Sequence, residues 1–96
     1  MIYDGSKTVA TAGTRVALAS VRTPASWVHI QSKTANTGSI YVGGSTVTSL
    51  SGIELPSALD SHQLPPIGDI LAYDLQDIYV DAAVNGEGVK FVYSQR

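Results

Sequence analysis

The sequence predicts an all-β fold: a single antiparallel β-sandwich, jelly-roll-like or a small barrel, of about seven to eight short strands. Val, Ile, Thr, Tyr, Phe and Trp supply 32 of the 96 residues, the set that fits a pleated sheet. Glu and Lys, which support surface helices, number only two and three. Short apolar alternations recur at a spacing of about 10–14 residues, separated by Gly, Pro and Asn turn signals. Nothing alternates strand with helix, which disfavours a βαβ arrangement. A chain of 96 residues is expected to form one domain. Residues 1–14 read as an N-terminal arm or frayed first strand, and residues 15–96 as the β-sandwich.

Within the first segment, residues 7–11 have the pattern of a short edge strand. Residues 15–20 form the next, with Val16 and Leu18 on one face. Pro24 fixes φ and biases Thr23 towards an extended backbone, which makes a turn. Over residues 27–33, Val28, Ile30 and Ser32 alternate with Trp27, His29, Gln31 and Lys33, a half-buried strand with one polar face. Residues 35–38 break it, and residues 39–42 are a short apolar strand ended by Gly43 and Gly44. A strand is expected to start over 46–51, closed by Gly52, and another over 53–55, with Ile53 and Leu55 on one face.

Residues 56–66 read as irregular, with a helical or 3₁₀ turn over 57–60 from the Ser57/Asp60 spacing. Pro65 and Pro66 oppose ladder pairing there. Residues 69–73 are a strand candidate and 74–77 a tight corner. Residues 78–84 then place Ile78, Val80 and Ala82 on one face, with Tyr79 and Asp81 outward. Asn85-Gly86 is the preferred pair of a type I′ turn. It predicts a closing hairpin with residues 89–93, where Val89, Phe91 and Tyr93 share a face.

Composition excludes several functions. The longest apolar runs, 16–19 and 70–73, have four residues, against the roughly 20 a transmembrane helix needs. They are also too short for a secretory signal core. Without cysteine there is no disulfide framework and no thiolate metal site. A net charge of −2 with six scattered basic residues argues against nucleic acid or an anionic membrane as partner. Charged residues make 15% of the chain, below the roughly 25% of an average soluble domain. Ser and Thr number 19, so the surface is largely neutral, as in a domain packed against neighbours.

No reactive constellation stands out. His29 lies on a polar strand face and His62 in a proline-bracketed loop, and there is no G-x-S-x-G elbow. Asp69, Asp74, Asp77 and Asp81 fall within thirteen residues, but without a D-x-D-x-D-G run they read as turn and outward strand residues. The glycines of 43–44 and 86–88 precede no helix pattern, so they are turns and not phosphate loops. We therefore expect no catalytic residue, cofactor or metal. Trp27 reads as a core lid or as an anchor in a partner surface.

Four segments carry a resemblance: NTGSIYVGGSTV over 36–47, GIELP over 52–56, DIYVDAAV over 77–84 and GEGVKFVY over 86–93. In this order they resemble small virion proteins of tailed bacteriophages, in particular capsid decoration (cement) proteins and related head or neck components. The resemblance spans about residues 28–93. It implies a non-enzymatic structural protein on the capsid surface that bridges subunits of the major capsid protein, commonly as a homotrimer. The N-terminal arm would then add a strand to a neighbour's sheet edge. The expected contact residues are Trp27, His29 and Tyr79, with Tyr3 and Val9 of the arm. Other head-fibre, neck or tail components are the near alternative. A carbohydrate-binding β-sandwich using Trp27, Tyr79 and Asp81 as a sugar platform is the distant one.

Overall fold

β-Branched and aromatic residues in alternation give a chain of short strands whose apolar sides must meet. The computed structural model describes residues 2–68 and 70–95, and among these it contains ten strands and one 3₁₀ turn. The strands are β1 (Ile2–Thr8), β2 (Val16–Ala17), β3 (Pro24–Ala25), β4 (Trp27–Ser32) and β5 (Ile40–Gly43). They continue with β6 (Ile53–Leu55), β7 (Ser61–Leu64), β8 (Tyr73–Asp74), β9 (Tyr79–Ala82) and β10 (Gly88–Ser94). The 3₁₀ turn covers Leu75–Asp77.

The pairing is nested, first strand with last. β1 pairs with β10, β2 with β9, β3 with β8, β4 with β7 and β5 with β6, all antiparallel. The chain is thus one long two-stranded ribbon, folded at the connection over 44–52. Two more pairings, β10 with β4 and β9 with β5, wind the ribbon into two four-stranded sheets. Their orders are β1-β10-β4-β7 and β2-β9-β5-β6, with β3-β8 as a small third ladder. This winding is a jelly roll, a sandwich in which most successive strands change sheets.

The core lies between the two sheets. Val28, Ile30, Val89 and Phe91 come from the first sheet; Ile40, Val42, Leu55, Val80 and Ala82 come from the second. Ala25 of β3 and Leu75 of the 3₁₀ turn close it, with Val9, Leu18 and Ile78 from the connections. Each fully buried aliphatic side chain contributes about 1.5–3 kcal/mol. The radius of gyration is 12.4 Å, matching the about 12–13 Å expected of one domain this long.

The two ends of the sandwich differ. One carries the connections 9–15, 33–39, 56–60 and 83–87 and is held by polar contacts. Glu87 accepts from the Thr37 N–H at 2.6 Å, the Gly38 N–H at 2.9 Å and the Thr37 hydroxyl at 2.9 Å. Buried Asn36 donates its Nδ2 to the Gly88 carbonyl at 2.8 Å. Val9 is fully buried, and its N–H donates to the Glu87 carbonyl at 2.8 Å. The other end carries the connections 18–23, 44–52 and 65–72. There Asp74 caps the 3₁₀ turn, accepting from the Gln76 N–H at 3.0 Å and the Thr23 N–H at 2.9 Å.

Several expectations are corrected. The largest concerns the closing hairpin: β9 and β10 lie in different sheets and do not pair. Among residues 84–87 only Gly86 has positive φ, at +82°, and the Glu87 N–H donates to the Val84 carbonyl at 3.4 Å. That is a type II geometry, which splays its flanking strands, whereas type I′ needs positive φ at both central positions. The Gly86 N–H goes instead to the Val9 carbonyl at 2.8 Å. Residues 46–51 are turns rather than a strand. The irregular stretch hides β7, which pairs with β4 from Ser61 to Leu64 and stops at Pro65. Residues 57–60 form a turn whose Leu59 has φ +67°, not a helical turn, with the Ser57 N–H donating to Asp60 Oδ2 at 2.9 Å.

The strand expected over 69–73 shrinks to β8; Asp69 lies outside the described residues, and Ile70 and Leu71 are exposed. Asp81, expected outward, is on the outer side of β9 yet buried, because the 9–15 connection covers it. Its Oδ1 accepts from the Gly13 N–H at 2.9 Å and the Ala82 N–H at 2.8 Å. Of the two forms expected for residues 1–14, residues 2–8 take the strand, paired with β10 along its whole length.

Candidate interaction surface

Strand register places the residues singled out above. On the first sheet, Ile2, Ser94 and Trp27 form the outermost row at the apolar end. Two positions inward, Asp4, Val92, His29 and Gln63 form the next row on the same outer face. Ser6, Lys90, Gln31 and Ser61 follow. This face is polar because Val28 and Ile30 take the core side of β4. It holds a shallow depression of about 390 Å³ bordered by Asp4, His29, Gln31 and Lys90.

Tyr3 is on the opposite face of β1, where its ring stacks on Tyr93 at 5.4 Å and 24°. It sits at the sandwich margin and is partly exposed. Tyr79 is on the outer face of the second sheet, beside Arg15, which donates Nε to the Ser45 carbonyl at 2.5 Å. Trp27 and Tyr79 therefore occupy opposite outer faces and make no common platform with Asp81, which is buried. Val9 is a core residue, fully enclosed, and presents nothing to a partner. Trp27 and His29 are the two expected contact residues that share one surface.

The strongest surface feature is one that strand patterning does not reach. Val21, Leu50, Ile53, Ile67, Ile70 and Leu71 are all exposed, and all belong to the connections or strand start at one end of the sandwich. Leu50 is 95% exposed, as an unfolded residue would be. Ile2 and Trp27 lie on the same end of the first sheet. Leu59 and Val84 are also exposed, at the opposite end, but as scattered side chains of the ordinary kind; the six gathered here form the larger apolar group. Beside them a groove of about 290 Å³ opens between the sheets, with Val42, Ile53, Leu64 and Ile78 as walls and His62 and Asp77 as its polar residues.

Among the described residues, the two carboxyls held below their ordinary values, Glu87 and Asp74, both serve as structural caps. Bonds from the Thr37 and Gly38 N–H groups hold the Glu87 carboxyl below its ordinary value. Bonds from the Thr23 and Gln76 N–H groups do the same for Asp74. In both cases the charged form accepts the hydrogen bonds and is favoured. Among the described residues, no three His, Asp or Glu side chains gather as metal ligands would. Apolar residues between turn formers, as in residues 65–72, were the available sequence signal for this surface. No known family model matches the chain, nor does any curated protein or solved structure.

Proposed function

We propose that this chain is a virion structural protein, a capsid decoration (cement) protein that binds the outside of a phage head and braces neighbouring major capsid subunits. The observation that carries this reading is the division of the sandwich into a hydrogen-bonded end and an apolar end. A domain that uses one end for contact leaves its core untouched when it binds. Jelly rolls serve as virion subunits and as sugar-binding domains, so the fold alone does not decide between them. The apolar end favours a protein partner, since interface cores lose charges and gather apolar side chains. Binding only to the assembled shell stabilises it by mass action, and a homotrimer spanning several subunits adds effective concentration.

Co-sedimentation with purified expanded shells tests the proposal. The native chain should pellet with shells, and a Leu50→Asp/Leu71→Asp variant should not, while both keep the same unfolding midpoint. Light scattering should give a trimer for the native chain. A native chain that leaves its own virus's shells unbound would remove the reading.

A further inference from the structure

The Asn85-Gly86 turn carries chemistry that the fold suppresses. Glycine has no Cβ, so a Gly nitrogen is the least hindered backbone nucleophile that can follow an asparagine. In the reaction, a solvent base takes the Gly86 amide proton and the nitrogen lone pair attacks Asn85 Cγ. A new N–Cγ bond closes a five-membered succinimide, and the Cγ–Nδ2 bond breaks with release of ammonia. Water then opens either carbonyl of the ring, leaving aspartate or isoaspartate. No group other than water and a buffer base is needed.

Both reacting groups are occupied by the N-terminal connection. The Gly86 N–H donates to the Val9 carbonyl at 2.8 Å. Asn85 Oδ1 accepts from the Ala12 N–H at 2.7 Å. Val9 is fixed in turn by complete burial and by its own bond to the Glu87 carbonyl, and Gly13 is tied to Asp81. The Gly86 nitrogen can lose its proton only when the bond to Val9 opens, the same event that permits amide hydrogen exchange.

We propose that Asn85 is a latent spontaneous-deamidation site, gated by the docking of residues 9–12 on the 83–87 turn. While the connection is docked, the nucleophile is withheld. Once it lifts, the turn converts. Isoaspartate adds a methylene to the backbone inside the turn closed between Val84 and Glu87. The Gly86 N–H then no longer meets Val9, so the connection cannot dock again. A reversible opening becomes a permanent one.

Peptide mapping by mass spectrometry, with isoelectric focusing for the added negative charge, follows the conversion in mildly alkaline buffer. The folded chain should convert at Asn85 about tenfold or more slowly than the same chain in urea. Asn85→Gln should abolish the signal in urea. Val9→Ala should speed both Gly86 amide exchange and Asn85 conversion, while Leu50→Ala at the far end should speed neither. Equal rates in folded and unfolded chain would overturn the proposal. So would a Val9→Ala protein whose Gly86 exchanges faster without faster conversion. Should Val9→Ala unfold altogether, the native comparison in and out of urea decides alone.

Discussion

Replacing Gly88 with alanine should be far more damaging than the same change at two other glycines. A Cβ at Gly88 would lie 2.8 Å from Thr8 Cα and closer still to the Lys7 carbonyl oxygen. Both atoms belong to the backbone of β1, so no side-chain rotation relieves the clash. The Thr8–Gly88 pair is the last rung of the β1–β10 ladder, and Val9 enters the core directly after it. Overpacking costs about 1–3 kcal/mol. A shift of β1 also loosens Val9, whose full burial contributes about 1.5–3 kcal/mol. The expected loss is therefore about 2.5–6 kcal/mol, a large share of the roughly 5–15 kcal/mol that holds a small domain folded. Gly86 has φ +82° and open space around it, so alanine there meets only left-handed strain, about 1–2 kcal/mol. Gly44 has neither restriction, and alanine there should be neutral or add about 0.4–1 kcal/mol through the unfolded state. Urea unfolding followed by the fluorescence of Trp27, the only tryptophan, gives all three midpoints. If Gly88→Ala matches Gly44→Ala at unchanged m, close approach of β1 does not fix this position.

Ser32 is fully buried and its hydroxyl has no hydrogen-bond partner among the described residues. Ser32→Ala should raise stability by about 1 kcal/mol, read as a higher calorimetric midpoint. Glu87 and Asp74 have folded-state values below their ordinary 4.5 and 3.8. Their contribution is fully present above those ordinary values and is lost as pH falls through the lowered ones. Stability should therefore drop on acidification below about pH 4.5. Glu87→Gln should be less stable at neutral pH and lose less on acidification. Denaturation midpoints across that range would show parallel acid limbs if the Glu87 bonds were irrelevant.

The strands with one wet and one dry face were readable in the sequence. β4 and β10 show the expected alternation because Val28, Ile30, Val89 and Phe91 recur at every second position. β7 was not readable, since its Ser61 and Gln63 face solvent and its place is set by backbone pairing to β4. The Asn85-Gly86 signal correctly marked a turn, but turn chemistry does not say whether the flanking strands pair with each other. Asp81 followed the strand period, and its burial came from Gly13, 68 residues away in the chain. The apolar end was not readable from strand periodicity for a related reason. Leu50 and Leu71 sit in connections, where periodicity carries no information, and only the topology brings those connections together.

Nested pairing has a consequence for biosynthesis. Ile2 finds its ladder partner in Ser94, so β1 cannot be satisfied until β10, more than eighty residues later, has been made. Among the described residues, the 44–52 bend joins the only sequential neighbours that pair, β5 and β6. Closure should spread outward from that bend, with β1 and β10 zipped last, a slow route dominated by distant partners. A nascent copy thus waits with its first seven-residue strand unsatisfied, and crowded polysomes are where mispairing between copies would begin.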